Sequence, residues 1–193
     1  MMRPQSNRLL LAALLVSVVA RGFSQSAALD PAVLAKANSG DAAAQVLVGE
    51  SYASGNGVAR DLKQAADWYR KAAGQGSIAG ELHLAVLYRD GGKGFPRDMA
   101  QAAAWYRKAA EQGDPGAQGT LGVLYSMGQG VPHNDVEAYY WLDLAAQVKG
   151  PRQEQYAANR QMVGAHITAD ELEAVEERVA QWLAAHPRPA VTE

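Results

Sequence analysis

Apolar residues recur along the chain at intervals of three and four, the spacing of one face of a helix. Ala44, Val48 and Tyr52 form one such stripe. Gly80, Leu84 and Tyr88 repeat it, and Ala117, Leu121 and Tyr125 repeat it again. A second set follows each stripe: Ala65, Trp68, Tyr69, Ala72 and Ala73, then Ala102, Trp105, Tyr106, Ala109 and Ala110, then Ala138, Trp141, Leu142, Ala145 and Ala146. The pattern predicts three helical hairpins opening at Gly40, Gly76 and Gly113, spaced 36 and 37 residues apart. The one extra residue of the second hairpin falls in its turn, at 91–94, where a repeated helical pair tolerates insertion. Each turn carries Gly-x-Gly followed by an apolar residue: Val58, Phe95 or Val131. Asp61, Asp98 and Asn134 then stand where the second helix needs an N-cap. Gly49, Ala85 and Gly122 provide the small surfaces that the aromatic rings require, and the three tryptophans are expected in the core.

The flanks carry different signals. Arg3 and Arg8 precede Leu9 to Ala20, an uncharged apolar run too short for the roughly 20 residues of a membrane span but of signal-peptide length. Residues 1–26 are therefore expected to be a signal peptide, cut between Ala20 and Ala28, with an uncleaved N-terminal anchor as the alternative. Asp30 and Pro31 open a helix, and residues 27–39 are expected to be an N-terminal capping helix, whose segment Asp30 to Ala37 resembles the second half of a missing earlier repeat. The repeats follow at 40–75, 76–112 and 113–148, and a C-terminal helical cap at 149–186. In that cap, residues 152–163 are expected to be helical. Thr168 and Glu171 then form a capping box for a helix with Leu172, Val175, Val179, Trp182 and Leu183 on one face. Residues 187–193 are expected to form a mobile tail.

The composite Ala-x-x-x-Leu-Gly-x-x-Tyr, Gly-x-Gly-Val-Pro-x-Asp, Ala-x-x-Trp-Tyr-x-Lys-Ala-Ala-x-x-Gly resembles the Sel-one-like repeat, a relative of the tetratricopeptide repeat. It recurs over residues 40 to 148 with modest departures. Val48 stands for Leu, Gly80 for Ala, Leu142 for the Tyr106 position and Asp143 for the Arg107 position. The resemblance implies an all-α, right-handed α/α superhelix of three helix-turn-helix repeats with helical caps, about eight to nine helices in all.

Composition narrows the chemistry. The net charge is -2 with no basic block, so nothing favours nucleic acid. There is no Cys, which removes disulfides, thiol catalysis and Cys-based zinc sites. His83, His133, His166 and His186 lack the spacing of a helical metal site, and no Gly-x-Ser-x-Gly or Ser-x-x-Lys motif occurs. Glu50, Asp67, Glu81 and Glu111 are scattered over helix surfaces. The Gly-x-Gly turns lack the preceding strand and third glycine of a phosphate loop. No catalytic residue, metal or cofactor is expected.

In superhelices of this kind the first helix of each pair lines the concave side. The resemblance therefore places Val46 and Glu50, Leu82, Val86, Arg89 and Asp90, and Val123 and Met127 in a groove, with Ala43, Gly119 and Ser126 beside them. Such a wall suits an extended peptide or a partner helix, unless the C-terminal helix carrying Trp182 folds into it. The expected function is an exported adaptor or scaffold, periplasmic or secreted, that holds a protein or peptide partner. Nucleic acid is not an expected partner, and no membrane span is expected after signal removal. The alternatives are a peptidoglycan- or glycan-binding envelope protein and a weak hydrolase of the penicillin-binding type.

Overall fold

Short polar caps divide the chain into helices. In each hairpin the second helix starts on a side chain that accepts a backbone N–H. Asp61 accepts from Lys63 and Gln64, Asp98 from Gln101, and Asn134 from Glu137. The first helices do the same with Asp41, Ser77 and Asp114. The structure, a computed structural model, describes residues 28–187. The expected signal peptide and residues 188–193 of the expected tail lie outside them. Among the described residues there are nine helices: α1 (Pro31–Asn38), α2 (Ala42–Ser54), α3 (Leu62–Ala73), α4 (Ile78–Asp90), α5 (Met99–Glu111), α6 (Pro115–Met127), α7 (Asp135–Ala146), α8 (Gln153–Gly164) and α9 (Ala169–Ala185). The only bridge between extended residues there joins Gly92 to Phe95 inside a turn.

Consecutive helices from α1 to α8 pack in chain order, and α9 lies back against α7. The first helices also approach one another, α2 touching α4 and α6 touching α8, as they do on the inside of a curved stack. Small residues set these distances. A Cβ on Gly49 would stand 2.5 Å from the Tyr69 ring, and one on Gly122 2.6 Å from Leu142. The group lodged against each small residue is therefore the residue after the tryptophan, not the tryptophan itself. Gly80, the departure in repeat two, lets α4 sit against the end of α3, where a Cβ would come within 2.8 Å of the Ala73 nitrogen.

The tryptophans divide. Trp141 is buried, edge-on to Tyr140, whereas Trp68 and Trp105 are half-buried and carry the ammonium groups of Lys71 and Lys108 over their faces, 3.8 and 3.9 Å from the ring centres. The expectation that all three are core residues is thus corrected for two. Residue 144, at the place of those lysines, is Leu, and α7 is enclosed by α6, α8 and α9, so every residue from Ala138 to Ala146 is buried.

A second periodic row is polar and buried. Gln45 donates to the Ala37 carbonyl oxygen at 3.2 Å and Gln118 to that of Ala110 at 3.1 Å, both near the end of the preceding helix. Gln153 makes the same bond to Ala146 at 3.1 Å. The amide of Gln75 returns to the Gln45 oxygen at 2.8 Å, and Gln112 donates to the carboxylate of Glu81, the repeat-two member of the row, at 2.7 Å. Gln118 keeps an unpartnered oxygen because Val148 stands where Gln75 and Gln112 stand in the earlier repeats.

This row identifies α8 as the first helix of a fourth repeat. Tyr156, Ala157 and Arg160 follow Gln153 at the places where Leu121, Gly122 and Tyr125 follow Gln118. The adjacent clamp changes accordingly. Arg70 reaches the Tyr88 hydroxyl at 3.4 Å and Arg107 reaches that of Tyr125, but Asp143 pairs with Arg160. The departure at residue 143 is one half of a reversed pair whose other half is on α8. The capping box of α9 forms as expected. Val175 and Val179 are buried and Leu172, Trp182 and Leu183 half-buried against the same core.

Two stability measurements follow. Trp141→Ala should cost roughly 3–5 kcal/mol in urea unfolding, and Trp105→Ala about 1–2 kcal/mol, because only part of that ring leaves water. Burial also pushes the Glu81 carboxyl above its ordinary value, against the pull of Gln112 and Lys108. The folded chain therefore holds that proton more readily than the unfolded chain, so this position contributes most at low pH and loses stability as pH rises through the raised value. Glu81→Gln can also donate to the Ala73 carbonyl as its counterparts do. It should raise stability by about 1 kcal/mol at neutral pH, with the gain shrinking toward zero in acid, as read from unfolding curves of both proteins across pH.

Candidate functional site

The inner wall is built from the sides of α2, α4, α6 and α8 that turn away from the second helices. Helical periodicity brings one residue per turn to that surface, and the stack aligns these into rows. Exposed apolar side chains stand along it: Leu47 at 49%, Val86 at 37%, Met127 at 59% and Met162 at 63% exposure. Singly they are unremarkable, but they occupy successive first helices, and α9 does not cover them. Its packing against α7 puts Trp182 beside Gly113 in the α5–α6 turn, with Arg178 on Glu137 at 2.9 Å and Tyr139 donating to Glu176 at 3.3 Å. Among the two arrangements open from the sequence, the structure has the C-terminal helix outside the groove.

The residues expected in the groove separate into three groups. Val86, Met127 and Asp90 are exposed on the wall. Glu50, Leu82, Arg89 and Val123 are half-buried, with Leu82 and Val123 packed onto the core. Val46 is a correction. It is buried at 7% exposure with Leu62, Ala65 and Tyr69, because its turn of α2 points toward α3 and α4. Gly119 is a second, since the Tyr156 ring of α8 lies so close that a Cβ there would be 2.1 Å away.

The polar groups on the wall find partners within the chain. Glu50 meets His83 at 3.0 Å, and the imidazole stacks on the Tyr69 ring with centroids 4.8 Å apart and planes 10° apart. Burial pushes the Tyr69 phenol up, and the nearby Glu50 charge adds to this. Arg89 grips Asp90 with two bonds, at 2.7 and 3.1 Å, and gives a third to the Tyr106 hydroxyl at 3.2 Å. The bond from Arg89 holds the Asp90 carboxyl below its ordinary value. Arg89 is thus tied to the second helix of its own hairpin and is not free to seek a partner's carboxylate.

Three of the four scattered carboxylates are engaged within the chain. Asp67 pairs with Arg70 at 2.7 Å, Glu81 is buried against Gln112, and Glu50 is held by His83. Among the described residues no group of three or more His, Cys, Asp or Glu side chains is placed to hold a metal ion. His133 and His166 both approach Asp135, at 3.2 and 3.7 Å, and His186 stacks on Trp182. No described helix is long and apolar enough to cross a membrane. Leu47 and the His83 stack were not singled out from sequence. Leu47 lies beside the core stripe of α2 and shows no repeated partner, since His83 and Thr120 hold its place in the next repeats.

The Sel1 repeat family model matches residues 42–77, 78–114 and 115–147, more than half of the chain and the same three hairpins. The chain belongs to the Sel1 repeat family. The matched segments begin two residues after the opening glycines and stop short of α8. Among solved structures, a Sel1 repeat protein from Oxalobacter formigenes is 31% identical, with a TM-score of 0.57 over 64% of this chain and 92% of its own length. The protein c5321, a protective antigen of uropathogenic Escherichia coli displaying an SLR fold, is 28% identical with a TM-score of 0.49. The alignment covers 79% of this chain and only 40% of that antigen. No curated protein matches the chain. Sel1 repeat proteins generally mediate contacts between proteins and are typically scaffolds.

Proposed function

We propose that this Sel1 repeat protein is an exported adaptor whose inner wall holds an extended peptide or a helix of a protein partner. The exposed apolar side chains of Val86 and Met127 carry the reading. These side chains leave apolar surface in water on the wall, while the polar groups beside them already have partners within the chain. A partner gains by covering that surface and needs few charges of its own. Export rests on the apolar run from Leu9 to Ala20 behind Arg3 and Arg8, with processing between Ala20 and Ala28 and a periplasmic or secreted product. The absence of Cys is compatible with that setting, because the stack is held by packing and buried amides.

The binding surface is testable without knowing the partner. A photo-crosslinking side chain at residue 86 or 127 should yield a discrete partner adduct in living cells, and one at the exposed Gln64 of α3 should not. Adducts only from residue 64 would put the binding surface on the outer helices. With the partner in hand, Val86→Asp combined with Met127→Asp should weaken capture at least about tenfold while circular dichroism stays unchanged. The mass of the product recovered from culture fractions checks the export part: loss of the first 20 to 28 residues is expected, and an intact chain retained in the cytoplasm would contradict it.

A further inference from the structure

Both ends of the stack hold half a repeat, and the halves are complementary. At one end α1 is a second helix without a first. Its Ala37 carbonyl receives Gln45 as Ala110 receives Gln118, and Val33 stands at the place of Tyr69. At the other end α8 is a first helix without a second, since α9 lies against α7. Where a first helix would precede α1, the described residues leave a depression of about 440 Å3 walled by Leu29 and Val33 and by Leu47, Glu50, Ser51 and Ser54 of α2. Removal of the first 20 to 28 residues, on which this step rests, leaves at most nine before Asp30, fewer than the 13 in each first helix of the three repeats.

The chain's own junctions give the register for filling it. Glu50, five residues after Gln45, meets His83, two residues after Glu81. Applied between α8 and the α2 of another copy, that offset sets Ala158 over Leu47. Met162, one turn on, then lies over Glu50 and Ser51. Ala157 falls against Val33 in the way Gly49 takes Tyr69, a small residue in the first helix facing a larger one in the second. Leu47 and Met162, two of the exposed large apolar residues, would both leave water, Leu47 beneath Ala158 and Met162 against Glu50 and Ser51.

We infer that copies of this chain join head to tail, α8 of one copy supplying the first helix of a repeat whose second helix is α1 of the next. The contact is heterologous, so it leaves a free half-repeat at each end and propagates. It also leaves Val86 and Met127 on the inner wall uncovered, which separates it from the adaptor reading.

Sedimentation of the processed protein over a concentration series should show mass rising through dimers to longer species. Leu47→Glu and Met162→Glu, both at exposed positions, should each move the onset of association at least about tenfold higher, while Val86→Asp should not move it. An equimolar mixture of the Leu47→Glu and Met162→Glu proteins should form a dimer and stop there, because only one competent end of each remains. A monomer at every concentration, association that survives both substitutions, or a mixture that stays monomeric would overturn the proposal.

Discussion

One buried amide bond fixes how a first helix sits on the helix before it at three of the four junctions, the exception being Glu81 in the second repeat. A helix can slide or rotate on its neighbour when only alanines and glycines lie between them, since such surfaces are smooth. A Gln side chain reaching back to a carbonyl near the end of the preceding helix removes that freedom. Misplacement would leave a donor and an acceptor buried and unpaired, at a cost of about 1–3 kcal/mol. Gln45, Gln118 and Gln153 all make this bond. Within the hairpins a second fit operates, Gly49 taking the Tyr69 ring and Gly122 taking Leu142, a small residue opposite a large one.

The same constraint explains how the stack ends. The irregular third repeat has Asp143 in place of the clamping arginine and Leu142 in place of a tyrosine, yet its junction with α8 keeps the buried amide. The Arg–Tyr clamp becomes Asp143 with Arg160, so partners changed on both sides of one contact. With Leu144 replacing the lysine that shields the outer tryptophans, α7 can be enclosed on the outside by α9. The loss of Gln at residue 148 leaves the Gln118 oxygen alone.

Much of this fold was legible because periodicity and caps are local. The stripes from Ala44 to Tyr52 and from Ala65 to Ala73 encode helices, and Asp61, Asp98 and Asn134 mark their starts. The resemblance supplied how the hairpins stack. The Gln45, Glu81, Gln118 row is visible in the alignment, but a polar residue inside a helix looks solvent-facing until the preceding helix is known to end beside it. The membership of α8 in the stack is hidden for a related reason. Its junction is one residue shorter, and its clamp is reversed in charge, so it no longer matches the motif. The site was less legible than the fold. Val46 and Val86 are alike in chemistry, and only their rotation about the helix axis separates core from wall. That rotation depends on how α2 and α4 meet their neighbours, not on composition.

The account therefore rests on the amide latch, and Gln45 is its cleanest member, bonded at both ends by Ala37 and Gln75. The most direct test is hydrogen exchange and urea unfolding of Gln45→Met, which keeps the length of the side chain and removes both bonds. The latch predicts a loss of about 1–3 kcal/mol, with the amides of α1 losing protection ahead of the rest of the stack. Equal stability with α1 protected as before would show that packing alone sets the register.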